Sequence, residues 1–346
     1  SLGRQPLPTR TTAMSGRVCV VTGANAGIGK ATATALAQQG AHVVLACRSL
    51  SKGEAACADI RWKVPGAAVE TLPLDLESID SIRGFVKSFR QTSLPLHVLI
   101  NNAGIIPGKP ALVRGMEKSM VVNHLGPFLL TSLLLPDLRR SASSSSSSSS
   151  FSSSSPPSFP SFPSSPSSST SSSAAGAERD PTPAPESSPR ASRIVNVTSR
   201  LEKRGRLPAA TAEGSGGLPQ GVRLFQPPPG KKHDPFQLYA SSKLCSMLFT
   251  FELQRRLSAA ASASAPATTV TPGMEMVKPP GIGGGVFVSA VTPGVVNTAI
   301  GDGTVSPWVA WAAAPLKRLF MRDVAKGAET VVWAATSQEA EELAAG

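Results

Sequence analysis

Aromatic residues and cysteines are scarce in this chain. Only one of its 346 residues is tyrosine, and aromatic residues make up 5% of it. With so few aromatic side chains among the basic residues there is no pattern for stacking on nucleic-acid bases, so the net charge of +12 indicates solvated surface and no nucleic-acid partner. The four cysteines, Cys19, Cys47, Cys57 and Cys245, form no C-x-x-C pair and have no histidine at metal spacing. The sequence therefore predicts no metal site, no disulfide framework, and buried, reduced thiols, as in an intracellular protein of the cytoplasm or an organelle.

Long apolar runs are also missing. No run reaches the 18 residues of a membrane span, so we expect no spanning segment, while association with a membrane surface stays open. An apolar fraction of 41% still supports a real core. The chain begins at Ser1 and not at methionine, which allows for a segment upstream, and residues 1–14 are interpreted as a basic N-terminal tail.

Serine, proline and glycine are concentrated in three stretches. Residues 141–192 are almost wholly Ser, Pro and Ala, and they cannot bury enough apolar surface to offset their ordering entropy. We predict a disordered insertion there, a Gly/Pro-rich loop at 203–235 and a low-complexity loop at 258–285. The remainder of 15–346 is predicted to form one domain.

Outside these stretches, short apolar strands alternate with helical segments. The predicted strands begin at Val18, Ala41, Val69, Leu96, Arg193 and Val286. The predicted helices follow the first glycine turn and cover about 51–62, with Ser51 as cap, 78–91, with Ser78 as cap, 117–140, 236–257 and 325–336. Strands that are apolar on both faces and alternate with helices predict a doubly wound, Rossmann-like α/β fold with one parallel sheet.

A glycine turn between the first strand and the first helix is a candidate anion site. The turn reads Thr22-Gly23-Ala24-Asn25-Ala26-Gly27-Ile28-Gly29. Helix N-terminal amides lack partners and the helix dipole favours negative charge, so such a turn suits a pyrophosphate. The spacing G-x-x-x-G-x-G departs from the usual G-x-G-x-x-G, and a tight turn without a ligand is the alternative.

The single tyrosine, Tyr239, has a lysine four residues further on. In a helix this spacing puts Tyr239 and Lys243 on one face. An ammonium at about 4 Å in an effective dielectric near 20 contributes about 4 kcal/mol, which would lower the phenol pKa toward neutral. A partly buried tyrosine beside a surface lysine is the alternative.

Taken in chain order, these residues resemble the short-chain dehydrogenase/reductase family. The matching features are Thr22-Gly23, Gly27-Ile28-Gly29, Asp75, Asn101-Asn102-Ala103-Gly104, Asn123, Ser199, Tyr239 with Lys243, and Pro293-Gly294 with Thr298. Within the family, the segments 45–48, 122–127 and 242–249 look most like retinol-dehydrogenase-type members.

The resemblance implies a role for each matching residue. Tyr239 would exchange a proton with the substrate oxygen as hydride is transferred, and Ser199 would position that oxygen. Lys243 would lower the phenol pKa and hold the ribose, and Asn123 would keep a helix irregularity and a water that relays protons. The implied cofactor-binding residues are Gly23, Asn25, Gly27, Ile28, Gly29, Arg48, Asp75, Leu76, Asn102, Ala103, Gly104, Tyr239, Lys243, Pro293, Gly294 and Thr298.

The end of the second strand favours NADP over NAD. A NAD enzyme needs an acid for the ribose 2′-hydroxyl about twenty residues past the glycine turn, whereas a 2′-phosphate needs a cation. The strand ends in Cys47-Arg48 and carries no acid. We therefore predict NADP(H), with a surface or helix-capping arginine as the alternative reading of Arg48.

These predictions combine into an NADP-dependent oxidoreductase that interconverts a carbonyl and an alcohol on an apolar substrate of retinoid, steroid or lipid aldehyde type. The apolar segment Ile300 to Phe320, with Trp308 and Trp311, would be its lid. The alternatives are a protochlorophyllide-reductase-like enzyme and a non-catalytic, cofactor-binding regulator. The sequence leaves the oligomer open and allows a homo-oligomer.

Overall fold

The computed structural model describes residues 13–109, 111–147, 191–207, 234–263, 285–294 and 323–340. Its main feature is a six-stranded sheet with the order β3-β2-β1-β4-β7-β8, in which every neighbouring pair is parallel. The strands are β1 (Val18–Thr22), β2 (His42–Cys47), β3 (Val69–Pro73), β4 (Val98–Asn101), β7 (Ser192–Val197) and β8 (Val286–Val291). A short antiparallel hairpin, β5 (Leu112–Val113) and β6 (Met116–Glu117), lies outside this sheet. The predicted doubly wound parallel fold is confirmed.

Helices cover both faces of the sheet. They are α1 (Gly27–Gln38), α2 (Leu50–Lys63), α3 (Ile79–Gln91), α4 (Lys118–Met120, continued by a π-helical turn Val121–Leu125 and by Gly126–Ser147), α5 (Pro235–Ala263) and α6 (Val324–Thr336), with a 3₁₀ helix at Arg200–Arg204. Successive strand residues point to opposite faces, so Val43 and Leu45 join the core on the side of α1, α2 and α6. Val44 and Ala46 join the core on the side of α3 and α4.

The start of α2 differs from the prediction. Ser49, and not Ser51, is its N-cap, and the Ser49 hydroxyl accepts a hydrogen bond from the Lys52 amide at 3.4 Å. The helix therefore begins before the predicted Ser51 cap, and its N3 residue is a lysine that cannot complete a capping box. Ser78 caps α3 as predicted, accepting from the Ser81 amide at 3.2 Å.

Both ends of the serine-rich stretch differ from the prediction. Helix α4 continues to Ser147, seven residues into the serine-rich stretch, and Ser192 at its far end is already part of β7. Two serine hydroxyls there bond back to the preceding turn, Ser141 to the Asp137 carbonyl at 3.1 Å and Ser143 to the Arg139 carbonyl at 3.0 Å, so both are satisfied within the helix. Ala142 is buried, so packing adds to these bonds.

Helix α5 likewise runs to Ala263, past the predicted start of the low-complexity loop. The 3₁₀ helix Arg200–Arg204 and the first residue of α5, Pro235, take up the two ends of the predicted loop 203–235. Residues 148–190, 208–233 and 264–284 of the three inserts lie outside the described residues, as do the predicted lid and Thr298.

Among the described residues, one helical stretch meets the length and hydropathy of a membrane span. This is Lys118–Ser143, with a mean hydropathy of 1.3 over its most apolar window. Of that window, 56% is buried inside the protein, as is usual for a core helix.

All four cysteines are free and buried, as predicted. Burial raises the pKa of the Cys19 thiol to about 12 and that of Cys47 to about 11. Both thiols therefore stay protonated and act as small core side chains in β1 and β2.

Candidate active site

The carboxyl ends of the six parallel strands bring the predicted site residues to one edge of the sheet. Gly23 follows β1, Arg48 follows β2, Asp75 lies two residues past β3, Asn102 follows β4, and Ser199 lies two residues past β7. Pro293 and Gly294 lie past β8, where Gly294 has a φ of 84°. In open parallel sheets this edge is where ligands bind.

The glycine turn needs two of its glycines for close contact with the turn after β4. Gly23 has a φ of 66°, and a Cβ there would lie 3.0 Å from the Ala103 Cα. A Cβ on Gly29 would lie 2.5 Å from the Asn102 Nδ2 atom and 2.5 Å from the Gly23 carbonyl oxygen. Any larger residue at position 29 would therefore push α1 away from the turn.

Thr22 joins the same two turns by hydrogen bonds. Its hydroxyl oxygen accepts from the backbone amides of Asn102 and Ala103, both at 3.0 Å. The Asn102 side-chain amide donates to the Thr22 carbonyl at 2.9 Å. The ends of β1 and β4 thus form one rigid wall beside the start of α1.

The N-terminus of α1 fits the phosphates of a dinucleotide. No side chain caps it, and its first turn carries no acidic residue, whereas Ser49 and Ser78 cap α2 and α3. Its first backbone amides therefore have no side-chain acceptor, beside a cradle that a Cβ at Gly29 would fill. These are the features of an anion site at a helix end.

Asp75 and Leu76 lie in the turn after β3, at the same edge of the sheet. The Asp75 carboxylate accepts from the Glu77 amide at 3.0 Å, and the Asp75 amide donates to the Ser81 hydroxyl at 2.9 Å. Leu76 is buried, and its carbonyl oxygen would lie 2.6 Å from a Cβ at Gly126. Asp75 is thus held in a tight turn by local hydrogen bonds.

Tyr239 lies on α5 with its side chain almost wholly buried, 6% exposed. Burial raises its pKa, the negative charge of Glu202 raises it further, and a hydrogen bond with Ser199 opposes both effects. The predicted lowering of this pKa is therefore wrong in this structure, since loss of solvation outweighs the stabilisation of a phenolate. Ser199 is also the N-cap of the 3₁₀ helix that carries Glu202, and its hydroxyl accepts from the Leu201 amide at 3.3 Å.

Lys243 is buried on the same helix. Its Nζ atom donates to the Val197 carbonyl at 2.8 Å and lies 5.8 Å from the centre of the Tyr239 ring. Complete burial lowers the pKa of Lys243 to about 8. The ammonium is therefore directed at the end of β7, and part of its charge is lost under mildly alkaline conditions.

Asn123 lies in the middle of the π-helical turn of α4. Its side-chain amide accepts from the Ile105 backbone amide at 2.8 Å and donates to the Ile105 carbonyl at 3.0 Å. It also donates to the Ser242 hydroxyl at 3.0 Å, which in turn donates to the Tyr239 carbonyl at 2.7 Å. The predicted helix irregularity is present, and Asn123 connects α4, the loop after β4 and the helix that carries Tyr239.

The structure therefore brings Ser199, Tyr239, Lys243 and Asn123 together, and it adds residues that the sequence reasoning missed. Ser242, Glu202 and Ile105 carry hydrogen bonds or charge in this cluster. Position offers a sequence signal only for Glu202, because it lies three residues past Ser199. Asn123 is 18 positions from Ile105 and 119 positions from Ser242, so no local sequence pattern predicts these two hydrogen bonds.

Comparison with known proteins identifies the family. The profile of the short chain dehydrogenase family matches residues 17–155. Human retinol dehydrogenase 11 is 32% identical over 337 residues, which cover 97% of this chain and 77% of that protein. The chain belongs to the short-chain dehydrogenase/reductase family. The prediction from the motifs that the chain is an oxidoreductase of this family is thus confirmed.

Other relatives of this short-chain dehydrogenase/reductase are similar at the same level. Bovine dehydrogenase/reductase SDR family member 13 is 32% identical over 331 residues, and mouse polyprenol dehydrogenase is 31% identical over 331 residues. The alignments cover 95% and 94% of this chain, but 65% and 73% of the two relatives. The predicted similarity to retinol-dehydrogenase-type members is confirmed, and the chain spans about two thirds of the length of the first of these relatives.

Solved structures agree on the fold. An uncharacterised protein from Mycobacterium paratuberculosis is 26% identical and has a TM-score of 0.54. The match covers 96% of this chain and 80% of the chain of that protein. A short-chain dehydrogenase from Sphingobium yanoikuyae, solved in complex with NADPH, is 16% identical with a TM-score of 0.53 and covers 92% of this chain and 84% of its own. Family membership supports a nicotinamide cofactor and a small carbonyl or alcohol substrate for this short-chain dehydrogenase/reductase.

Proposed function

We propose that this short-chain dehydrogenase/reductase is an NADP-dependent enzyme that interconverts a carbonyl and an alcohol on an apolar substrate. The observation that carries the proposal is the cluster of buried Tyr239, Lys243 and Asn123 with half-buried Ser199, at the sheet edge that also holds the glycine turn. The turn and the uncapped end of α1 would hold the pyrophosphate, and Arg48 would meet the 2′-phosphate. The Arg48 side chain is 69% exposed, so its guanidinium is accessible to a ligand.

Tyr239 is the proposed proton donor. The bound dinucleotide supplies hydride, and the substrate oxygen must gain a proton as its carbonyl is reduced. A hydroxyl whose pKa is raised stays protonated at neutral pH, which suits donation to a carbonyl oxygen better than abstraction from an alcohol.

The other three residues would position the reacting groups. Ser199 shares a hydrogen bond with Tyr239, so a carbonyl oxygen held between the two hydroxyls would meet a donor on each side. Lys243 would hold the ribose hydroxyls next to Tyr239. Asn123 would help to hold Tyr239 and Lys243 in position, because its side chain connects α4 to Ser242 on the same helix, α5.

The names of two relatives support an apolar substrate. Retinol and polyprenol are the alcohols named for human retinol dehydrogenase 11 and mouse polyprenol dehydrogenase. A retinoid, steroid or lipid aldehyde is therefore the proposed substrate class for this enzyme.

A cofactor-oxidation screen tests the function directly. The purified chain is incubated in darkness with NADPH and a set of aldehydes and ketones, comparing retinaldehyde, a long-chain aldehyde and a steroid ketone with short polar aldehydes. We expect NADPH loss at 340 nm with the apolar carbonyls, at kcat/KM at least about tenfold above the polar ones, because burial of added methylene groups strengthens binding. Turnover that requires light would instead favour the protochlorophyllide-reductase-like alternative, and NADPH binding without any turnover would favour the regulator.

Glu202 offers a test of the proton donor through pH. Glu202→Gln removes a negative charge that raises the pKa of Tyr239, so the pKa should fall and the alkaline limb of carbonyl reduction should move to lower pH. We expect a shift of about half to one pH unit in kcat/KM. Glu329→Gln, which neutralises an exposed carboxylate on α6, is the control and should leave the profile in place. An alkaline limb that does not move in the Glu202 variant would mean that another group sets it.

A further inference from the structure

Three charged side chains from separate segments meet where the adenosine end of a dinucleotide would lie. Arg48 follows β2, Glu77 is two residues past Asp75 in the turn after β3, and Lys118 opens α4. The Oε1 atom of Glu77 lies 2.8 Å from the Lys118 Nζ atom and 3.4 Å from the Arg48 Nη1 atom. One carboxylate oxygen thus serves two cations.

The two contacts of Glu77 are unequal. The bond from Lys118 to Glu77 is short, and both side chains are largely buried, with 28% of Lys118 and 22% of Glu77 exposed. The contact of Glu77 with Arg48 is longer, and the Arg48 side chain is 69% exposed. A guanidinium has five N–H donors, and this contact engages one of its nitrogens. Lys118 therefore fixes the carboxylate, and within the described part of the chain Arg48 keeps most of its donors for another anion.

We propose that Glu77 acts as a built-in competitor for Arg48 and thereby sets how strongly the enzyme prefers NADPH over NADH. This inference rests on the proposed NADP-dependent function. A 2′-phosphate brought to Arg48 meets the negative charge of Glu77 close by, and that repulsion weakens its binding. NADH carries a neutral 2′-hydroxyl there and is nearly indifferent to Glu77.

Lys118 moderates the competition. Because the Lys118 Nζ atom lies 2.8 Å from the Glu77 carboxylate, it neutralises part of the carboxylate's negative charge and holds Glu77 back from a closer contact with Arg48. Without Lys118, the carboxylate is free to close on the guanidinium and form the two-bond pair that arginine and carboxylates favour. Loss of Lys118 should therefore weaken NADPH binding chiefly through Glu77.

Glu77→Gln tests the proposal by binding rather than by turnover. Dissociation constants are measured by calorimetry for NADPH and NADH, and for the fragments adenosine 2′,5′-bisphosphate and 5′-AMP, which isolate the 2′-phosphate. At low salt we expect about three- to tenfold tighter binding of NADPH and the bisphosphate, with NADH and 5′-AMP changed less than about twofold. The gain should shrink at about 0.5 M salt, where exposed charges are screened.

Two further variants separate competition from a general charge effect. Lys118→Gln should weaken NADPH binding about two- to fivefold in the native chain, and much less in the Glu77→Gln background. Glu252→Gln on α5 is a matched control, because Glu252 also bridges two cations, Arg255 and Arg256, and should leave both dinucleotides unaffected.

The outcomes distinguish this inference from the proposed function. If Glu77→Gln leaves the NADPH to NADH preference unchanged, or lowers it because Glu77 orients Arg48, the competitor role is overturned while dinucleotide binding stands. If the native chain binds neither dinucleotide, the proposed function falls and this inference with it. Thermal unfolding of each variant is measured as well, to show that a change in dinucleotide binding does not result from unfolding of the variant.

Discussion

Tyr239→Phe is expected to lower turnover about 10³-fold or more while the dissociation constant for NADPH stays within about twofold, because general acid catalysis contributes about 10²–10⁴. The phenyl ring keeps the packing of a side chain that is 6% exposed, and only the hydroxyl that would protonate the substrate oxygen is lost. The Ser199 hydroxyl remains in place, so the carbonyl can still be held. Single-turnover kinetics with NADPH and an accepted aldehyde would measure the effect on the chemical step itself.

A second hydroxyl on the same helix supplies the control. Thr250 is buried on α5, where it donates to the Ser246 carbonyl at 2.9 Å and accepts from the Asn196 side chain at 2.9 Å. Thr250→Val removes a buried hydroxyl from α5, as Tyr239→Phe does, and should cost about 1–3 kcal/mol of unfolding free energy with little loss of turnover. Near-native turnover in Tyr239→Phe would remove this residue from the mechanism.

The fold follows from patterns that are local in sequence. The strands β1, β2, β4 and β8 lie in apolar runs, and the segments between successive strands are long enough for a helix, so a parallel sheet with crossover helices is the natural arrangement. The position of the site follows too, because Gly23, Asn102 and Ser199 all lie past the carboxyl ends of strands. Helix ends do not follow from composition, since α4 continues to Ser147 in the serine-rich stretch, where Ala142 is buried.

The electrostatics of the site could not be predicted from spacing. The four-residue interval does place Tyr239 and Lys243 on one helix, but the sign of the phenol pKa shift depends on burial and on Glu202, which approaches from the 3₁₀ helix. The Lys243 ammonium is directed at the Val197 carbonyl, a contact between residues 46 positions apart. Tertiary contacts of this kind decide which of two opposing effects is larger, and they become visible only in the folded chain.

The buried lysine also links stability to function. A pKa of about 8, below the ordinary value of 10.5, means that the folded chain holds the Lys243 proton less tightly than the unfolded chain does. Burial of the charged ammonium lowers the unfolding free energy. This loss of stability is present in full below about pH 8 and becomes smaller as the pH rises toward 10.5. Such a costly group persists in protein interiors mainly where it serves a site, which agrees with the role proposed for Lys243.

Gly29→Ala is expected to weaken NADPH binding at least about tenfold and to lower the unfolding free energy by about 1–3 kcal/mol, because overpacking of a close contact forces the backbone to shift. The added Cβ would lie 2.5 Å from both the Asn102 Nδ2 atom and the Gly23 carbonyl oxygen. Relief requires α1 to move away from the turn, which breaks the alignment of its first amides with the pyrophosphate site. Calorimetric titration with NADPH and thermal unfolding measure the two effects separately.

Gly84→Ala is the matched control for this substitution. Gly84 is also a helical glycine, but a Cβ there meets nothing within 4 Å, so alanine should stabilise α3 by about 0.5–1 kcal/mol through helix propensity and leave NADPH binding unchanged. The two glycines therefore differ in what surrounds the missing methyl group. If Gly29→Ala bound NADPH as tightly as Gly84→Ala, the pyrophosphate would have to lie elsewhere, because a helix end displaced from Gly23 and Asn102 can no longer present its amides to the same anion.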